Sequence, residues 1–148
     1  MTGIRSEVLS KHLTSLLAGR EVVAGVFTTY SLEPDFFEEE IVTLLGGPAL
    51  LQDPKIRLVQ MEEALCSEIG PLSAYFDPGA LGTGSKRLDI RYVPLRVATG
   101  RFHPKVILLL TRPANQPDTP AQSLICGVLS ANLTRSGWWS SLECCHFE

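Results

Sequence analysis

The stretch from Phe102 to Thr111 constrains the fold more than any other part of this chain. It contains the longest apolar run in the sequence, Val106 to Leu110. That run has the length of a strand and falls far short of the ~20 residues that a membrane-spanning helix requires. The rest of the chain alternates helix-like and strand-like segments without internal repeats. Residues 7 to 18 place Val8, Leu9, His12, Leu13, Leu16 and Leu17 at helical spacing, and Gly19 stops the run. Glu21 to Tyr30, rich in Val, Phe and Thr, reads as a buried strand. Pro34 opens a second helix whose apolar stripe is Phe36, Phe37, Ile41, Leu44 and Leu45, closed by Gly46-Gly47-Pro48. Its acidic residues, Asp35 and Glu38 to Glu40, favour the positive helix end and read as a helix start in solvent.

Ile56 to Met61 alternates apolar and polar residues and is predicted to be a strand. Gly70 to Lys86, with Pro71, Pro78 and four glycines, is predicted to be a loop or irregular crossing. Arg87 to Leu95, Phe102 to Thr111, Ser123 to Leu133 and Leu142 to Phe147 complete the strands, with an exposed turn over Arg112 to Gln122. The expectation is one α/β domain over residues 1–148, built on a mixed sheet of about six to seven strands flanked by helices on both faces. A chain of 148 residues holds one such core and is too short for two ordinary domains.

Three pieces of the sequence carry chemistry together. They are Gly100-Arg101-Phe102-His103-Pro104-Lys105, then Leu129-Ser130-Ala131-Asn132, then Glu143. In a strand, His103 and Lys105 leave the same face, and so do Ser130 and Asn132. If the two strands pair through the Pro-rich turn, four polar groups meet on one surface, and Glu143 arrives on a third strand. A neutral imidazole can attack phosphorus as a nucleophile. Lys105 and the Asn132 amide can donate to the non-bridging oxygens, and Ser130 lies beside them. Glu143 can accept the other ring proton of His103, fixing the tautomer as the acid of a serine triad does. This is phosphodiester chemistry that calls for no cofactor and no metal.

H-x-K, then S-x-N, then Glu eleven residues after that Asn resembles the phospholipase D superfamily. That pattern reads H-x-K-x4-D and G-S-x-N with a downstream Glu. Here Leu110 stands at the Asp position and Leu129 at the Gly position, which is closer to the H-K-N tyrosyl-DNA phosphodiesterase branch. The resemblance spans residues 100 to 143. It implies a phospholipase-D-like repeat, with His103, Lys105, Asn132 and Glu143 catalytic and Lys105, Ser130 and Asn132 binding phosphate. It also implies a second H-x-K half, whose histidine protonates the leaving group. Neither His12 nor His146 has a Lys two residues on. The expectation is therefore the N-terminal half of a longer two-repeat protein, or one subunit of a homodimer.

Other features read as structural. Cys144, Cys145 and His146 cannot converge as zinc ligands, since strand alternation sends Cys145 to the opposite face. Trp138 and Trp139 suit core or crossover packing before base stacking. Gly79 to Gly84 lacks the residue order of a phosphate loop. A net charge of -3 removes any general pull on nucleic acid, so phosphate binding must come from a local cluster. The expected function is a metal-independent phosphodiesterase or nuclease half-site working through a phosphohistidine, with nucleic acid as substrate. Two alternatives remain: a non-catalytic domain for binding or dimerisation, which the departures at Leu110 and Leu129 favour, and a phospholipid phosphodiesterase. The lipid reading lacks a basic amphipathic segment, and no membrane partner is expected. Four cysteines without bridge-like spacing point to reduced thiols and the cytoplasm.

Overall fold

The computed structural model describes residues 8–46, 53–116, 118, 120 and 123–148. Helix α1 spans Leu9–Leu16 and strand β1 spans Arg20–Thr29. Helix α2 begins at Pro34–Phe36, widens to a π turn over Phe37–Ile41 and closes over Val42–Leu44. Helix α3 is Pro54–Ala64, followed by a π turn over Leu65–Ile69. Strands β2 Leu72–Phe76, β3 Arg91–Pro94, β4 Val106–Pro113, β5 Ser123–Leu129 and β6 Cys145–Phe147 follow. The Gly47-Pro48 stop expected after α2 and parts of the Pro-rich turn lie outside the described residues.

The six strands form one mixed sheet in the order β3-β2-β1-β4-β5-β6. β1, β2 and β3 run parallel, while β4, β5 and β6 alternate antiparallel from β1 outward. The α/β class and the mixed six-stranded sheet are as expected from the sequence. The apolar β4 is interior, paired with β1 on one side and β5 on the other, so its run of Leu and Ile satisfies its backbone on both edges. Helical cover is expected on both faces; among the described residues the buried core lies on one of them. Phe27, Ala74, Phe76, Ile107, Leu109 and Ile125 face it, together with Leu13, Phe36, Phe37, Ile41 and Met61 from the helices. On the opposite face Val26, Leu108 and Cys126 are half-buried and Leu124 and Val128 exposed.

Three local expectations are corrected. Ile56 to Met61 is helix, not strand. The Asp53 carboxylate caps α3 by accepting from Lys55 N at 2.9 Å and Ile56 N at 3.3 Å, and Pro54 takes the first turn. Ile56 and Val59 sit on its solvent side at 48% and 52% exposure, which is why the apolar pattern misled. The buried stripe is Met61, Ala64 and Leu65, at helical spacing. The irregular crossing contains β2, bracketed by Pro71 and Pro78, with Leu72, Ala74 and Phe76 buried in alternation. Gly70 before it has φ 75° and leaves no room for a Cβ against the Val23 carbonyl. Glu38, read as solvated, is 2% exposed and accepts from Arg87 N and from Tyr92 Oη at 2.7 Å. Burial first, and this bond second, push the Tyr92 phenol far above its ordinary range.

Candidate active site

The motif residues gather at one end of the sheet, where β1 finishes and β4 begins. His103, Pro104 and Lys105 precede β4 rather than lying inside a strand as expected. The reason is local. Pro104 has no N–H to give, and Val106 N donates to the Thr28 hydroxyl at 2.8 Å. The two side chains nonetheless meet, with Lys105 Nζ 2.9 Å from His103 Nδ1 and 3.4 Å from Nε2. Nζ also donates to the His103 carbonyl at 3.3 Å. An ammonium can only donate, so in a neutral ring the nearer Nδ1 is the acceptor and Nε2 the nitrogen left to carry the proton. On its other side the imidazole packs on Tyr30, with centroids 4.8 Å apart. Tyr30 was not singled out from the sequence, where it reads as the end of β1.

Lys105 is 8% exposed. Among the described residues no carboxylate lies within ion-pair distance of it. Burial draws its pKa below the usual lysine range, and the field of Glu143 acts the other way.

Ser130 and Asn132 follow β5 rather than extending it. Leu129 N donates to Lys105 O at 2.9 Å, and Ser130 N turns to Cys144 O at 2.9 Å. The chain thus ties H-x-K, S-x-N and the Glu143 segment together through its backbone. Asn132 is held by its oxygen, which accepts from Ser31 N at 3.1 Å and Thr29 Oγ1 at 3.3 Å. That leaves its amide nitrogen as the end able to donate to a ligand. Thr29, fully buried, also accepts from Leu133 N at 3.0 Å, and its one hydroxyl proton is shared between the Asn132 oxygen and the nearer Ser31 O at 2.8 Å. It is a second residue that the motif reading missed, since a threonine at a strand end carries no distinguishing signal.

Glu143 departs from expectation. It accepts a short hydrogen bond from Ser130 Oγ and makes no hydrogen bond with His103 among the described residues. Ser130 Oγ in turn accepts from Cys144 N at 2.8 Å, so the segment carrying Glu143 is latched to Ser130. Glu143 therefore reaches the site as a field on Lys105, not as the partner of the imidazole.

The remaining candidates divide as follows. Trp138 is buried in the core, while Trp139 is exposed. Cys66, Cys126 and Cys144 are free thiols. Among the described residues no group of three His, Cys, Asp or Glu could hold a metal, and no helix is long and apolar enough to cross a membrane.

No family model matches this sequence, and no curated protein matches it. Among solved structures, yeast tyrosyl-DNA phosphodiesterase shares its fold, with a TM-score of 0.50 and 11% identity over 91% of this chain and 27% of that chain. Two variant forms of the yeast enzyme superpose at 0.53 and 0.51, both at 11% identity, over 97% of this chain and 29% and 30% of theirs. The chain therefore spans less than a third of these structures. Its fold is the phospholipase-D-like fold expected from the motifs.

Proposed function

We propose that this chain is a phosphodiesterase half-site, a hydrolase acting on nucleic acid without a metal, with His103 as nucleophile. The observation that carries the reading is the Lys105 ammonium, on a largely buried side chain, 2.9 Å from His103 Nδ1 and without an ion-paired carboxylate among the described residues. A buried cation costs free energy unless something negative completes it. A phosphodiester does so. With a phosphate bound, Lys105 leaves the imidazole for a non-bridging oxygen, and the Asn132 amide donates to another. A ring nitrogen of His103 then attacks phosphorus, a P–N bond forms and the P–O bond to the leaving group breaks. Water cleaves the P–N bond and regenerates the imidazole.

The leaving oxygen needs a proton, and this chain offers no second H-x-K. A second half supplies it in this reading, from a homodimer partner or from a further repeat of the same protein. Nucleic acid is favoured over lipid because the similar yeast structures are of an enzyme named for tyrosyl-DNA. The cytoplasmic assignment rests on four cysteines without bridge-like spacing, of which Cys66, Cys126 and Cys144 are free thiols. One observation favours a non-catalytic binding module instead: Glu143 is engaged by Ser130 rather than by His103.

The test is nitrophenolate release from bis-p-nitrophenyl phosphate in excess chelator, for the original chain and His103→Ala, across protein concentrations. Activity that survives chelation and vanishes in the variant supports the reading. A rate per chain that rises with concentration assigns the second histidine to a partner copy. Activity equal in both chains removes His103 from the chemistry.

A further inference from the structure

Two arginines, Arg96 and Arg101, line one cavity next to the segment that carries His103. A cavity of about 350 Å³ is lined by Asp77, Pro78, Gly79, Arg96, Val97, Gly100 and Arg101. It opens at the same end of the sheet as the candidate site, because Asp77 follows β2 and Arg96 follows β3, both parallel to β1. Two contacts join cavity and site. Asp77 Oδ2 accepts from Phe102 N at 3.0 Å, immediately before His103, and Asp77 N donates to the carbonyl of Tyr30 at 3.3 Å. The Tyr30 ring is the one packed on His103. Arg101 Cα is at most about 7 Å from His103 Cα, since one residue, Phe102, separates them.

We propose that Arg96 and Arg101 form a subsite for a backbone phosphate flanking the one cleaved at His103, so that the site takes a polynucleotide strand rather than an isolated phosphodiester. This deepens the phosphodiesterase reading and rests on it. Arg101 is 63% exposed, and its Nη1 lies 3.8 Å from Asp77 Oδ1, a contact that leaves most of the guanidinium donors free to turn to an anion. Asp77 itself is buried and committed to the backbone. Its Oδ1 accepts from Gly79 N at 2.8 Å and its Oδ2 from Phe102 N, so its charge is spent on holding the loop and orienting Arg101. Gly79 admits this arrangement, since a Cβ there would sit 2.7 Å from Arg101 Nη1. With a net charge of -3 the chain has no general attraction for a polyanion. A salt-dependent affinity must then come from a local pair such as this one.

The experiment is fluorescence anisotropy of a labelled single-stranded thymidine hexanucleotide at graded salt, with the full chain, Arg96→Ala, Arg101→Ala, the double variant, Arg101→Lys and His103→Ala. Neutralising one phosphate on a single strand contributes about 0.7 to the slope of log affinity against log salt. Each alanine variant should lower the slope by about that amount, and the double variant by about twice it. Arg101→Lys should keep the slope, showing that charge is what is lost. The same strand with uncharged methylphosphonate linkages should bind without the salt dependence. An unchanged slope in the double variant, or no binding by the original chain, overturns the subsite. His103→Ala separates the two readings: full slope with no hydrolysis supports both. If the original chain shows the arginine-dependent slope but hydrolyses nothing, the subsite stands and the catalytic reading falls.

Discussion

Replacing Lys105 by Met removes the charge while keeping the length of the buried stem, and the structure says which way stability should move. The side chain is largely buried, with its ammonium towards the open end of the site, and its hydrogen-bonding partners are the His103 ring at 2.9 Å and the His103 carbonyl at 3.3 Å. A fully buried cation would lose several kcal/mol of hydration; solvent screening at this partly open position reduces that loss, and two neutral acceptors from one residue recover part of the remainder. Replacement of buried charges by apolar groups of similar volume is often neutral or stabilising by about 1–4 kcal/mol. Here the lost contacts to His103 oppose the gain, so the expected change is about 0–2 kcal/mol in favour of Lys105→Met. For a chain of this size that is a rise of up to about 8 °C in melting temperature.

The pH dependence is a sharper test. Burial places the folded pKa of Lys105 below its ordinary value of 10.5. The cost of the charge is therefore present at neutral pH, and is relieved as pH rises from the lowered folded value towards the unfolded one. The stability gap between the variant and the original chain should be widest near pH 7 and close as pH approaches about 10.4. Hydrolysis of bis-p-nitrophenyl phosphate should fall about 10²–10³-fold in the variant, the usual loss for one donor to a developing anion. Thermal scans from pH 7 to 10 decide the matter. A loss of more than about 2 kcal/mol at neutral pH would refute the reasoning and make Lys105 a structural anchor.

Three further outcomes are expected. Thr29→Val strands the buried Leu133 N–H and leaves the Asn132 oxygen with Ser31 N as its remaining donor, so it should cost about 1–3 kcal/mol in urea unfolding. If Thr29 orients the amide, substrate affinity should fall as well, and Thr29→Ser should restore both. Asp77 is held below the usual carboxylate range by the Gly79 and Phe102 amides, with Arg101 and Arg96 adding to the effect. Its stabilisation is complete above the ordinary value of 3.8 and lost as pH falls through the lowered folded value, so Asp77→Asn should flatten the acid limb of stability against pH. Asp53→Ala removes the α3 cap and should cost about 1 kcal/mol, or about 2–4 °C, with hydrolysis unchanged.

How much of this was legible in the sequence depended on what kind of signal each element carries. β1 and β4 are interior strands whose apolar runs are continuous, and both read correctly to within a few residues. α3 failed because its exposed face bears Ile56 and Val59, so periodicity pointed the wrong way, while the Asp53-Pro54 start that marked it as a helix lay just outside the window considered. β2 was hidden between two prolines, which punctuate a chain without saying what lies between them. Glu38 read as solvated because nothing local shows that Arg87 N and Tyr92, about fifty residues away, would close over it.

The site divides along the same line. H-x-K and S-x-N are local spacings, and neither sits within a regular strand; His103 and Lys105 still meet, while Ser130 turns to Glu143 and Asn132 to Thr29 and Ser31. What spacing could not supply was the choice among partners within reach. Glu143 was assigned to the imidazole by chemical fitness, yet Ser130 is tied to the same segment by the backbone bonds Ser130 N to Cys144 O and Cys144 N to Ser130 Oγ. Once those bonds place Ser130 against residues 143 and 144, its hydroxyl reaches the carboxylate first. His103 is then left with Lys105, and the Nδ1 lone pair that a carboxylate partner would have turned into a donor is instead an acceptor. On the proposed function, a phosphate that drew Lys105 away from Nδ1 would free that nitrogen to take up the ring proton and leave Nε2 as the nucleophile, so that Lys105 would serve both as phosphate ligand and as the group that sets the tautomer.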